Sequence, residues 1–357
     1  MRKINFKNIK LSKKNIIIIS SLLALLIIGI VVTVLILSKD EHKKQNIKNE
    51  EVVQKEPEKV DIVDLESKSR PYAVMVNNLN EARQIQSGLS EAYMVYEMIV
   101  EGGITRFLAL YKDADTAKIG SVRSARHYYL DYVLENDAFF VHWGYSNQAK
   151  NDIQTLRINN INGLVYEGTY FYRDNPLNIS SEHTGFTTME MLKKASKKLG
   201  YRQETENGVL LNYSAEPVNL EKHGKPETAT NVTIRYSNYI ENKYEYDETN
   251  KIYKRFVNNK EHKDYATKEQ LEVKNIIVYE IDNYTISGDT KGRQFLENIG
   301  SGDGYFISEG KSVKIKWNKK DRESKTKYTF EDGFELVVND GNTFIQIMPI
   351  TGSLVIK

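Results

Sequence analysis

The stretch 93-YMVYEMIVEGGITRFLALY-111 reads as two apolar runs, Tyr93–Glu101 and Ile104–Tyr111, around the pair Gly102-Gly103. Adjacent glycines supply the positive φ angles of a two-residue turn, so the spacing predicts an antiparallel hairpin. With that turn, Glu101 faces Ile104, Ile99 faces Arg106 and Glu97 faces Leu108. Glu97, Glu101 and Arg106 then share one face, with Arg106 diagonal to both carboxylates at about 7–8 Å. Tyr96, Met98, Val100, Phe107 and Ala109 form the opposite, core-facing side. The charged face reads either as a binding surface or as a half-exposed cross-strand salt bridge, worth under about 1 kcal/mol.

Working outward, Pro71–Val76 reads as a strand that ends in the polar pair Asn77-Asn78. The segment 120-GSVRSARH-127 leads into a helical pattern of Ala125, Tyr129, Tyr132 and Val133, with Ser121 or Ser124 as a cap. Arg123 and Arg126 would lie on one side of the first helical turn. Free N–H groups at a helix start, joined by guanidinium forks, suit a phosphate, sulfate or carboxylate. Cations there oppose the helix dipole unless an anion offsets them; an internal ion pair with Glu97 or Glu101 is the other reading. The strand Asp137–His142 places His142 and Ser146 at a carboxyl end, where α/β sheets bind ligands. Trp143 and Tyr145 follow, either able to stack beneath a sugar. Arg173 and His183 add polar loop residues, and the lysines of Met189–Leu199 read as a solvated face.

From Asn231 onward, short alternating runs are separated by turn signals such as Asp332-Gly333 and Asp340-Gly341. Such spacing indicates antiparallel β structure. Gly304 to Ser312 fails as a phosphate loop, because five residues separate its glycines and no helix follows. The expected architecture is α+β: an N-terminal α/β domain at 70–210, a connector at 211–229 and a mostly antiparallel β domain at 230–357. The two domains are expected to fold independently, since 201–230 lacks sustained periodicity.

The N-terminus has a different character. Ile16–Leu37 is a 22-residue run without a charge, long enough as a helix for a bilayer core of about 30 Å. Six basic residues and no acid lie in 1–38, all before that run. The positive-inside rule therefore makes 1–15 a cytoplasmic tail and 16–37 a single transmembrane helix. At 38–69 a densely charged tether is expected, too poor in apolar residues to bury a core. The chain totals +2, so residues after 38 carry −4, which argues against a nucleic-acid partner. There is no cysteine, which removes disulfides, thiolate metal sites and cysteine nucleophiles. None of the six histidines forms a metal-spaced pair, and no nucleophile elbow, zinc or dinucleotide motif is present. Neither a metal nor a cofactor is expected.

The segments GLSEA, VYEMIVEGGITRFLALY and IGSVRSAR, with the later Gly302-Asp303-Gly304, Trp317-Asn318-Lys319 and GNTFIQIMP, resemble the YerB-like lipoproteins of Gram-positive bacteria. The resemblance implies an extracytoplasmic, membrane-anchored protein with an α/β N-terminal and a β-rich C-terminal domain. Members are often tethered through a cysteine; this chain has none, so the apolar helix would anchor it. A Pro-His-Asn segment associated with many members is replaced by Glu182-His183-Thr184. The expected function is binding or scaffolding in the cell envelope, engaging an anionic wall polymer or a wall-synthesis protein through Arg106, Arg123 and Arg126. The alternative is an envelope enzyme similar in outline to the LytR-CpsA-Psr ligases, with Glu97 or Glu101 as a metal-holding carboxylate beside the arginines. A third is a structural, partner-binding protein with no small ligand.

Overall fold

The computed structural model describes residues 26, 27, 29, 31–33 and 59–357. The expected membrane helix at Ile16–Leu37 lies mostly outside these residues. The few described there are helical, and among the described residues no helix is long and apolar enough to cross a membrane. The larger compact unit of the chain is Glu58–Lys357.

The first strands of this unit are β1 (Tyr72–Asn77), β2 (Met94–Ile99), β3 (Thr105–Tyr111), β4 (Phe139–His142), β5 (Asn160–Asn162) and β6 (Glu227–Thr228). Next come β7 (Asn231–Arg235), β8 (Glu241–Asp247), β9 (Ile252–Val257), β10 (Lys260–Glu261), β11 (Asn275–Ile281) and β12 (Gly300–Ser308). The last are β13 (Lys311–Lys319), β14 (Lys327–Phe330), β15 (Thr343–Pro349) and β16 (Ser353–Ile356). Four helices matter here: α1 (Asn80–Arg83), α2 (Leu130–Glu135), α3 (Asn147–Thr155) and α4 (Met189–Lys198).

An 11-stranded sheet runs β6–β13–β12–β11–β15–β2–β3–β1–β4–β5, with β14 beside β13. At its centre β15 pairs in parallel with β2 on one side and β11 on the other. β1, β2, β3 and β15 are buried along their whole length, as strands covered on both faces must be. A second, 6-stranded sheet, β10–β9–β8–β7–β16 with Glu272–Val273 beside β9, covers one face. The turn His127–Tyr129 and α2 cover the other, where Tyr96 and Tyr132 rings lie 4.7 Å apart.

This architecture corrects several expectations. The N-terminal and C-terminal segments, expected to fold independently, contribute strands to one sheet. The 211–229 stretch is woven in: Asn212–Ser214 pairs with Val337–Asn339, and β6 with β13. Of the expected tether, residues 59–69 are docked. Val63 is buried, Val60 and Ile62 pack against the core, and Asp340 accepts hydrogen bonds from the N–H groups of Asp61 and Ile62. Charge density there masks a small apolar set.

The hairpin is present, one residue out of the expected register. Glu97 pairs with Phe107 and Met98 with Arg106, because the loop is the three-residue turn Glu101–Gly103 and the N–H of Val100 donates to Ile104 O at 2.8 Å. A slip of one residue turns the partner strand's side chains over. Glu97 therefore lies on the face under the second sheet, and Arg106 on the opposite face.

There Glu97 meets Arg255 of β9, whose Nη2 donates to Glu97 Oε2 at 2.9 Å, both side chains fully buried. The same carboxylate accepts from Asn242 (2.9 Å), Asn78 (3.1 Å) and Thr105 (2.7 Å). Arg255 also donates to Tyr244 and to His262 Nδ1. An arginine only donates, so His262 is neutral with its hydrogen on Nε2, facing Gln86. On the other face Glu135 of α2 takes Lys319 (2.8 Å), Tyr96 (2.6 Å) and Thr326 (2.6 Å). Two buried, fully bonded carboxylates thus tie the N-terminal strands to the C-terminal ones.

Removing one member of a buried pair strands the other charge. Arg255→Ala should cost about 3–5 kcal/mol, in a single cooperative denaturation of residues 59–357. Two transitions, of which the substitution moves only one, would show instead that the halves fold separately.

Candidate functional site

The arginines gather where β1 and β4 end and β3 begins. The segment Ser121–Arg126 is extended, not the first turn of a helix: Asn77 N–H donates to Ser121 O, Arg123 N–H to Met75 O, and Ala125 N–H to Gly144 O. Arg126 has φ −124° and ψ 146°, and helical geometry begins only at His127. Side chains three apart on extended backbone point to opposite sides. The expected pair of guanidiniums on one helical turn is therefore divided, and the helix-start anion site with it.

Arg126 turns inward. Its Nε donates to Glu101 Oε2 at 3.0 Å, its Nη2 to the other carboxylate oxygen, and its Nη1 to Ala125 O at 2.8 Å. Burial works against the Glu101 carboxylate, but the Arg126 bonds and the nearby Arg106 charge bring it down to about 2. Arg106, 3% exposed, donates Nη1 to Ser124 O at 2.6 Å, while its Nε is buried without a partner. Burial and the neighbouring Arg126 lower it to about 10.

Arg123 turns outward. Its Nη2 donates to Glu182 Oε2 at 2.6 Å and its Nη1 to Glu182 O at 3.1 Å. With Ser124, Trp143, Tyr145, Arg173 and Glu182 it lines a pocket of about 320 Å³. Arg173 lies over the Trp143 ring at 4.2 Å and donates to Glu167 at 2.9 Å. The other surroundings of Trp143 are closed: a Cβ on Gly163 or Gly185 would meet its ring at 2.4–2.5 Å. Tyr145, 36% exposed, is the more open ring, with Lys150 Nζ 5.8 Å from its centroid and the His142 ring 6.0 Å away. His183 borders this region. Asn77 Nδ2 holds its Nδ1 at 2.9 Å, turning Nε2 toward Glu182 (3.6 Å) and Glu81 (3.8 Å). Burial and the Arg123 charge lower its affinity for a proton.

Other expected site residues serve the fold. His142 is fully buried, its Nδ1 2.8 Å from Gly144 O and its Nε2 3.1 Å from Asn160 Oδ1, and burial lowers it to about 4. Ser146 caps α3, accepting from Ala149 N–H at 3.2 Å. Asn78 and Glu97 belong to the buried network with Arg255. Neither Glu97, on the far side of the sheet, nor Glu101, bidentate on Arg126, is placed to hold a metal beside Arg123. Among the described residues no group of three His, Asp or Glu could hold one.

The two arginines should respond oppositely to truncation. Arg126→Ala leaves a mostly buried carboxylate, so a loss of about 2–3 kcal/mol is expected, whereas Arg123→Ala should leave the melting temperature nearly unchanged. An equal effect of the two substitutions would contradict the division. Glu101 has a depressed folded-state value, so its contribution is complete above the unfolded value of 4.5 and is lost as pH falls toward about 2. His142 and His127 add a separate loss between 6.5 and about 4, with buried His262 acting in the same direction, because the unfolded chain binds these protons first. Denaturation at stepped pH should show both windows, with Glu101→Gln flattening only the lower one.

Residues 60–202 match the family described as "Protein of unknown function (DUF3048) N-terminal domain", and residues 232–345 its C-terminal domain. The chain is 32% identical over 282 residues to YerB of Bacillus subtilis (strain 168), which bears the name of a lipoprotein, covering 78% of this chain and 81% of that one. The crystal structure of YerB from Bacillus subtilis superposes with a TM-score of 0.68 at 29% identity, covering 81% of this chain and 94% of that one. Its mixture of large sheets and few helices is the α+β architecture found here. With these matches spanning both halves of the fold, the chain belongs to the YerB-like family.

Proposed function

We propose that this chain is an extracytoplasmic protein of the cell envelope that binds an anionic, sugar-bearing wall polymer in the Arg123 pocket. The run Ile16–Leu37 would anchor it in the membrane by a single pass with its N-terminus in the cytoplasm. The lipoprotein name of the YerB relative supports a membrane-tethered, external location, reached there by a different kind of anchor.

The observation that carries the binding reading is the pairing of Arg123. Its carboxylate partner is Glu182, half exposed on the three-residue turn Ser181–His183. A surface pair of this kind is worth about 0–1 kcal/mol, so an incoming anion can displace it at little cost. The guanidinium fork then takes a phosphate or carboxylate in two parallel bonds. Arg173 supplies a second cation, and Tyr145 an aromatic face for a sugar ring. Buried Arg106 and the Arg126–Glu101 pair hold the segment that presents Arg123.

The test is titration with a sugar 1-phosphate and with soluble wall-polymer fragments. Arg123→Ala should weaken binding by about 1.5–3 kcal/mol, and Arg123→Lys should recover part of it, since lysine has no fork. Glu182→Gln should tighten binding by removing the competing anion. If neither Arg123→Ala nor Glu182→Gln moves the affinity, the pocket is not the binding site.

A further inference from the structure

A groove of about 930 Å³ opens between α1 and the chain from Val257 to Lys268. Arg83 and Asn80 line it from α1, and Lys260, Lys263 and Lys268 from the other side. The acids that line it are engaged. Glu261 pairs with Lys263 at 2.6 Å, and Asp264 accepts from the N–H groups of Gly88 (2.5 Å) and Ala266 (2.8 Å). Lys268 sits over the Tyr265 ring at 3.3 Å.

Arg83 is the exception. It donates only to neutral oxygens, the backbone and side-chain oxygens of Asn78 (2.8 and 3.3 Å) and Asn80 Oδ1 (3.3 Å). Burial and the like charge of Arg255, opposed only in part by the Glu97 carboxylate already bound to Arg255, lower it to about 10. Lys260 faces the same groove, and Glu261, its neighbour in the chain, is taken by Lys263. A partly buried guanidinium with lysines across from it is an unfavourable arrangement until an anion enters.

We propose that this groove is a second anion site, which takes a segment of a linear phosphodiester polymer. Cations stand on both sides of the groove. A phosphodiester lies in the chain itself with its two nonbridging oxygens on either side of the chain axis, so a chain lying along the groove presents oxygens to both. A polycarboxylate carries its charge on pendant groups, so both oxygens of each lie on one side of the chain and are best used by one fork. The groove is also about three times the volume of the Arg123 pocket, which suits a chain segment rather than one terminal group. The inference stands on Arg83 and Lys260 and does not depend on the Arg123 pocket.

The full chain in neutral detergent is titrated calorimetrically with inorganic polyphosphate, whose internal phosphates carry the same pair of oxygens, and in parallel with poly-L-glutamate. Arg83→Gln combined with Lys260→Gln should weaken polyphosphate binding at least tenfold. Lys197→Gln with Lys198→Gln, an equal charge loss on α4, and Arg123→Ala should each change it less than twofold. Lys260→Glu alone, on a short exposed strand, should weaken it too, which keeps the test open if Arg83→Gln disturbs folding. Unchanged binding in the groove variants would overturn the site, as would an equal loss from the α4 control, which would mean diffuse surface charge. Loss only with Arg123→Ala would overturn it while favouring the other pocket. Equal dependence of poly-L-glutamate on Arg83 would overturn the choice of phosphate.

Discussion

A carboxylate with no access to water holds this fold in register. Glu97 sits in the middle of the large sheet and accepts hydrogen bonds from Arg255, Asn242, Asn78 and Thr105. Taking a charge out of water costs several kcal/mol unless every lone pair is met. The donors come from β1's end, β3, β8 and β9, so they can be met only when the second sheet is seated on the first. A buried ion pair of this kind adds little net stability over apolar packing, but it penalises every other arrangement of the same strands. A register slip in the hairpin would turn Glu97 away from its donors and leave Arg255 without a counter-charge.

The same constraint decides the roles of the arginines on the other side. Because Glu97 takes the face under the second sheet, Arg106 must take the face toward Ser124, where no carboxylate contacts it directly. Arg126 uses Glu101. Arg123 is left at the surface with a half-exposed carboxylate in a weak, exchangeable pair. One buried cation, one structural pair and one outward fork thus arise from a sequence that presents the three as a cluster. Chain parity does the sorting, since three residues of extended backbone separate Arg123 from Arg126.

Much of this was legible beforehand. The strand at Pro71–Val76, the hairpin, the strand before His142, the amphipathic helix at Met189–Leu199 and the β-rich C-terminal half follow from hydrophobic period and turn glycines. Lost to the sequence was whatever depended on partners far along the chain. Gly102-Gly103 fits a two-residue and a three-residue loop equally well, and only the Glu97 network selects between them. Ser121–Arg126 carries cap residues suited to a helix, yet the ends of β1 and β4 offer it ladder hydrogen bonds, and it extends. A signal for the buried network was present: Arg255 falls in step with Tyr253 and Val257, the inward-facing set of β9. A charge on the apolar side of an alternating pattern needs a buried partner, and Glu97 in its apolar run is the matching anomaly.

The position of β15 bears on how the molecule can come into being. It is the strand between β2 and β11, and it follows both of them in the chain, after β14. During synthesis, β2 and β3 emerge and can form their hairpin, but the far edge of β2 stays open until β4 to β14 have been made. For that whole interval an apolar edge is available to any passing strand, which is the hazard of long non-local pairing. Completion is therefore a closing step in which a late segment slots between two earlier ones, and a chain truncated before Thr343 would leave a gap at the centre of its sheet rather than a shorter version of it.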